Sequence, residues 1–159
     1  ELITKKLFGT LSGKKIAELG FSFKSNTNDT RESAAIQICK DLLEEGANLF
    51  IHDPKVTSKQ IAYDLNCDPS NNDKKNYKTN NRTMTGTWQS ALDIKNSLSD
   101  ADAAVILTEW DEYSKINWDQ LANTMRKPAW IFDSRSIINS QSVINSGLNF
   151  WRIGDGLTK

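Results

Sequence analysis

Short apolar runs separated by longer amphipathic segments set the rhythm of this chain. Residues 14–19 and 48–52 read as strands, the second closed by Asp53-Pro54, where proline stops both strand and helix. The most apolar run, Ala101-Asp102-Ala103-Ala104-Val105-Ile106-Leu107-Thr108, is short and continuous, as a strand covered on both faces requires. Residues 128–133 and 148–153 supply two more strands. Between the strands the period changes. Ile36, Cys39, Leu42 and Leu43 recur at helical spacing within residues 32–45, and Gly46 gives a C-terminal stop. Residues 57–65 read as a short helix capped by Thr57 or Ser58. A second amphipathic helix is expected over 88–98, with Ala91, Ile94 and Leu98 on one side, and further helices over 118–125 and 140–146.

Two stretches break the rhythm. Residues 1–8 look like the last turns of a helix, with Gly9 and Gly13 breaking the chain before the first strand and no initiator Met, so the chain reads as a piece of a longer protein. Residues 66–86 are rich in Asn, Asp, Lys, Ser and Thr and read as a surface excursion, with Cys67 exposed and Asp73-Lys74-Lys75 solvated. Strands alternating with helices predict an α/β fold: a Rossmann-like, doubly wound, mostly parallel sheet of about five strands with helices on both faces. Residues 1–13 are then a helix end and linker, and residues 14–159 one domain.

Composition narrows the classes of partner. Over 159 residues, 20 basic side chains balance 20 acidic ones, so no global field draws in nucleic acid or an anionic membrane, and any anion site is local. No apolar run reaches the ~18 residues of a membrane span, and no signal-peptide core is visible. Cys39 and Cys67 form no C-x-x-C pair, which fits reduced thiols and a cytoplasmic protein. Cys39 falls on an apolar helix face and reads as core. His52 ends a strand, but no cluster of His, Cys or carboxylates has metal-ligand spacing.

Candidate chemistry gathers at Gly20-Phe21-Ser22-Phe23-Lys24-Ser25-Asn26-Thr27-Asn28-Asp29-Thr30-Arg31-Glu32-Ser33. This loop leaves the carboxyl end of the first strand, where open parallel sheets bind ligands. It carries Lys24 and Arg31 beside a helix N-terminus, a setting that suits phosphate, although the dinucleotide pattern G-x-G-x-x-G is absent. Segments 20–31, 52–54, 108–112 and 133–136 are expected on one rim, bringing Lys24, Arg31 and Arg135 together. Each charge-assisted contact to a phosphate is worth roughly 1.5–3 kcal/mol. The plainer alternatives are a solvated Lys24, an Arg31 offset by Asp29 or Glu32, and an Arg135 paired with Asp133 or Asp111; Trp110 reads as packing. Glu18 sits mid-strand, where an unpaired carboxylate costs several kcal/mol, so it is paired, protonated or near the strand end. No nucleophile–base pair appears. The residues by themselves point to binding of a phosphorylated ligand, and not to catalysis.

The Gly20-Phe21-Ser22-Phe23-Lys24 and Asp29-Thr30-Arg31-Glu32-Ser33 motifs resemble the nucleotide-sugar dehydrogenase family, the UDP-glucose/GDP-mannose dehydrogenases. Asp53-Pro54, Thr108-Glu109-Trp110-Asp111-Glu112-Tyr113 and Phe132-Asp133 with Arg135 follow in the family's order and spacing. The resemblance covers nearly the whole chain but only the family's carboxyl-terminal third, and the segment at Thr108 is most similar to the UDP-glucose branch. It implies a carboxyl-terminal UDP-sugar-binding domain of an enzyme that oxidises UDP-glucose to UDP-glucuronate with two NAD, through a cysteine-bound intermediate. An amino-terminal domain would hold NAD, and a central helical domain the catalytic cysteine and a homodimer interface. By position, Phe23, Lys24 and Arg135 would contact UDP-glucose and Arg31 would face NAD, with residues 1–8 the tail of the connecting helix. Such an enzyme supplies a polysaccharide precursor. Alternatives are the same domain of a UDP-N-acetylmannosamine or GDP-mannose dehydrogenase, or a non-catalytic nucleotide-binding module. Glu18 departs from an apolar family position, Ser136 stands where some relatives place a second arginine, and the family's cysteine motif is absent. The 159-residue chain alone is therefore expected to be inert.

Overall fold

A buried parallel strand must be apolar on both sides, and four of the five residues of β1 (Lys15–Leu19) are fully buried. The computed structural model describes residues 2–6, 9–70, 77–79 and 82–152. Among them, α1 (Leu2–Lys6) precedes β1, which is followed by α2 (Ala34–Glu44), β2 (Asn48–His52) and α3 (Ser58–Leu65). A small antiparallel hairpin, β3 (Tyr77–Thr79) and β4 (Arg82–Met84), leads to β5 (Thr87–Ser90) and α4 (Ile94–Leu98). Then come β6 (Ala103–Ile106), α5 (Asp111–Ser114), and α6 (Trp118–Leu121), which tightens into a 3₁₀ turn at Ala122–Thr124. β7 (Trp130–Asp133), α7 (Ser140–Asn145) and β8 (Asn149–Arg152) complete the order.

The described residues form a six-stranded sheet ordered β5-β2-β1-β6-β7-β8, with every pairing parallel. The strand order reverses direction between β1 and β6, so the ligand crevice of a doubly wound sheet belongs at the carboxyl ends of those two strands. Ile16, Leu49, Ile51, Val105 and Phe132 pack one face against Cys39, Leu42 and Leu43 of α2 and Ile61 and Leu65 of α3. Leu19, Ala104, Ile106 and Ile131 pack the other face against Leu98, Tyr113, Trp118 and Val143. Helix starts follow local side-chain chemistry: Ser33, Thr57, Asp93, Asn117 and Asn139 each accept a hydrogen bond from an amide in the first turn of the helix that follows.

The sequence reading needs three corrections. Residues 87–90 are an edge strand beside β2, so the sheet has six strands and the helix expected over 88–98 shrinks to α4. Trp88 is buried between half-buried Thr87 and Gln89, a period-two pattern too short to stand out from the helical stripe at Ala91, Ile94 and Leu98. Gly86 makes that strand entry possible, because a Cβ there would lie 2.1 Å from the Ala47 carbonyl oxygen. Cys67 is buried, not exposed; its carbonyl accepts a 3.0 Å hydrogen bond from Trp88 Nε1. Part of the 66–86 excursion is the β3–β4 hairpin, while Asp73-Lys74-Lys75 and Ile153 lie outside the described residues.

Candidate functional site

The loop leaving β1 is held by backbone hydrogen bonds at both ends and at Phe23 and Ser25 between them. At its base Gly20 has φ +98, and a Cβ there would lie 2.4 Å from Thr108 Cβ, so β1 and β6 approach as closely as backbone allows. Thr108 Oγ1 donates to the Ser22 carbonyl at 2.9 Å, and the Gly20 amide donates to the His52 carbonyl at 2.8 Å. Asp53, one residue beyond β2, gathers the rest. Its Oδ2 accepts from the amides of Phe21 (2.8 Å) and Ser22 (3.0 Å) and from Trp110 Nε1 (3.3 Å), and its Oδ1 from those of Lys55 (2.9 Å) and Val56 (3.0 Å). At the loop's exit the buried Ser33 donates to the Phe21 carbonyl at 2.8 Å while capping α2. Between these anchors Phe23 stands 48% exposed and Lys24 is exposed, without an ion pair among the described residues.

Arg135 reaches the same rim from the tip of β7. Buried Asp133 accepts the amides of Arg135, Ser136, Ile137 and Ile138 at 2.9–3.0 Å, which shapes a tight turn with Ser136 at φ +59. The guanidinium leaves that turn to meet Glu109. Arg135 Nε donates to Glu109 Oε2 at 2.7 Å, and Nη2 donates to the same oxygen. Glu109 Oε1 accepts the Ser25 amide at 3.0 Å. One carboxylate thus joins the loop bearing Phe23 and Lys24 to the turn bearing Arg135. Burial alone would push the Glu109 carboxyl up, but the Ser25 amide, its own amide and the Arg135 guanidinium outweigh it and hold it below the usual range. The partners suggested by sequence for Arg135 are not used by its side chain: Asp133 takes only its backbone amide, and Asp111 pairs with Lys115 at 2.7 Å.

Arg31 is paired within its own loop. Its side chain is 87% exposed and binds Asp29 through Nε at 3.0 Å and Nη2 at 2.9 Å, the offset expected for a cation near a helix start. The Arg31 side-chain and backbone hydrogen bonds hold the Asp29 carboxyl down to about 2. An open depression of about 390 Å³, lined by Asn26, Thr27, Asn28 and Lys55, borders the outer side of the loop.

His52 turns beneath the rim, with Nδ1 2.9 Å from Tyr113 Oη, and Tyr113 donates to the His52 carbonyl at 3.0 Å. Burial lowers the His52 pKa against the pull of Glu112, Asp53 and Asp93. Burial raises both cysteine thiols above their ordinary value, so neither is an activated nucleophile. No group of three or more potential metal ligands occurs among the described residues. The rim thus presents an exposed lysine and an arginine held by a carboxylate. Asp53 and Glu109 were not singled out by sequence reasoning for these roles; their signal was a carboxylate within three residues of the end of an apolar strand.

Residues 17–140 match the UDP binding domain of the UDP-glucose/GDP-mannose dehydrogenase family. UDP-glucose 6-dehydrogenase 2 of Arabidopsis thaliana is 39% identical over 160 residues, covering 98% of this chain and 32% of that protein. UDP-glucose 6-dehydrogenase of Drosophila melanogaster is 41% identical over 152 residues, covering 96% of this chain and 30% of its own length. The solved NDP-N-acetyl-D-galactosaminuronic acid dehydrogenase of Methanosarcina mazei Go1 superposes with a TM-score of 0.70 at 23% identity, over 96% of this chain and 27% of that one. The chain therefore spans about a third of the length of the curated relatives it matches. With a doubly wound sheet and a family match over most of its length, this chain belongs to the UDP-glucose/GDP-mannose dehydrogenase family and matches its UDP binding domain.

Proposed function

We propose that the chain is the UDP-sugar-binding part of a UDP-glucose 6-dehydrogenase, an enzyme that oxidises UDP-glucose to UDP-glucuronate. The observation that carries this reading is that UDP-glucose 6-dehydrogenases, at 39% and 41% identity, align with 98% and 96% of the chain. Lys24 and Arg135 neutralise the diphosphate, Lys24 as a mobile point charge and Arg135 as a planar fork. Phe23, exposed beside Lys24, offers its ring to the nucleoside or sugar. Residues 14–159 form this domain, and residues 1–13 join it to the rest of the enzyme. NAD, bound mainly by an amino-terminal domain, takes up hydride in each of two oxidations. Arg31, exposed at the loop's outer edge, is suited to meet an anionic group of that cofactor across a domain cleft. A central helical domain carries the catalytic cysteine and a homodimer interface, and the enzyme works in the cytoplasm. No helix among the described residues is long and apolar enough to cross a membrane.

Calorimetric titration tests the ligand class. UDP and UDP-glucose bind weakly, since the other walls of the pocket lie outside this chain, and GDP-mannose binds more weakly still. Absence of UDP binding overturns the reading. Preference for UDP-N-acetylmannosamine over UDP-glucose moves the chain to another branch of the family.

A further inference from the structure

We propose that Glu109 is a positioning residue for the UDP diphosphate, a carboxylate that orients Arg135 toward a ligand of its own charge sign. The inference rests on the reading above and adds a residue to it. Both Glu109 oxygens are committed, Oε1 to the Ser25 amide at 3.0 Å and Oε2 to the Nε edge of Arg135 at 2.7 Å. A guanidinium has five N–H donors in a fixed plane, so holding its Nε–Nη2 edge leaves the Nη1 end to face an anion. The same carboxylate fixes the backbone one residue after Lys24, so a single group sets the spacing of the two cations. Half-burial of the pair, 29% exposed for Glu109 and 39% for Arg135, weakens solvent screening and keeps the geometry in force.

Two effects oppose each other, and their balance is measurable. Removing the Glu109 charge relieves its repulsion of a phosphate, which alone would tighten binding. Removing it also frees Arg135 to sweep its rotamers, which weakens binding, while in Glu109→Gln the side-chain oxygen can still accept the Ser25 amide. Loss of the charge-assisted bond that orients Arg135 makes the second effect the larger.

The test is a double-mutant cycle on UDP affinity, read by calorimetry with this chain. Glu109→Gln binds UDP about tenfold more weakly than the wild type, yet in an Arg135→Ala background the same change alters affinity by less than about twofold. A purely structural role for Glu109 would weaken binding in both backgrounds. Glu109→Gln binding UDP as well as or better than the wild type overturns the inference, and so does an equal loss in both backgrounds. A wild-type chain that binds no UDP overturns it together with the reading it rests on. If Glu109→Gln is unfolded at the assay temperature, Glu109→Asp takes its place: the shorter acid keeps the charge but cannot reach both partners. Wild-type affinity in Glu109→Asp also overturns the inference.

Discussion

Asp133 receives four consecutive amides on a carboxylate with no exposure to solvent, and the Arg152 guanidinium lies 3.6 Å away. A buried acceptor serving several donors is costly to remove, because each amide left behind is unpaired and desolvated. Asp133→Ala is expected to lower stability by about 2–4 kcal/mol, measured by urea denaturation, and to lose the turn that aims Arg135. Lys24 is the reverse case, an exposed cation outside the framework. Lys24→Ala should leave the unfolding midpoint within about 0.5 kcal/mol of wild type yet weaken UDP binding roughly tenfold, with Lys24→Arg losing less. Equal UDP affinity for wild type and Lys24→Ala would remove Lys24 from the site. At this scale the sequence was readable where chemistry is local: Lys24 and Arg135 are cations a few residues past a strand end, and Cys39 falls on an apolar helix stripe. Glu109 and Asp53 were not readable in their roles, because their partners lie 84 and 31–32 residues away in the chain.

Among the elements, β1 carries the clearest tension. Glu18 is fully buried on the α2 side, and among the described residues neither carboxyl oxygen has a hydrogen-bond donor at bonding geometry. Burial pushes its pKa well above the ordinary 4.5; the nearby Cys39 thiol opposes the rise and the Asp53 charge adds to it. The folded chain therefore keeps a proton that the unfolded chain releases above pH 4.5. For this group stability is fully present below the unfolded pKa and falls as pH rises toward the folded one, by up to about 1.4 kcal/mol per pH unit. Glu18→Met should flatten that slope and stabilise the chain at neutral pH, as read by urea unfolding across a pH series; an unchanged slope would show Glu18 to be ionised in the fold. The end of β1 yields a second expectation. Gly20→Ala drives a Cβ into Thr108 at a φ that only glycine adopts easily, and should cost about 2–5 kcal/mol by the same assay. Element types were legible in α2 and α3, whose helical periods run through the whole element. They were not legible for β5, whose four residues become a strand only because β2 offers a free edge beside them.

For the whole molecule, the sheet order β5-β2-β1-β6-β7-β8 places the turns after β1, β6 and β7 side by side, and that order turns scattered residues into a rim. The rim carries Lys24 and Arg135 but no activated thiol among the described residues, since burial raises Cys39 and Cys67. The 159-residue chain given NAD and UDP-glucose should therefore produce no NADH, and measurable oxidation would contradict the division of labour proposed above. By itself the sequence determined the α/β class, the Thr57 cap of α3 and the family likeness, because each rests on residues near one another within short segments of the chain. Only the tertiary structure decided that a sixth strand forms, that Cys67 is buried under Trp88, and that Glu109 ties Ser25 to Arg135. Those outcomes depend on which distant backbones pair, and hydrophobic periodicity marks a buried face without naming what covers it.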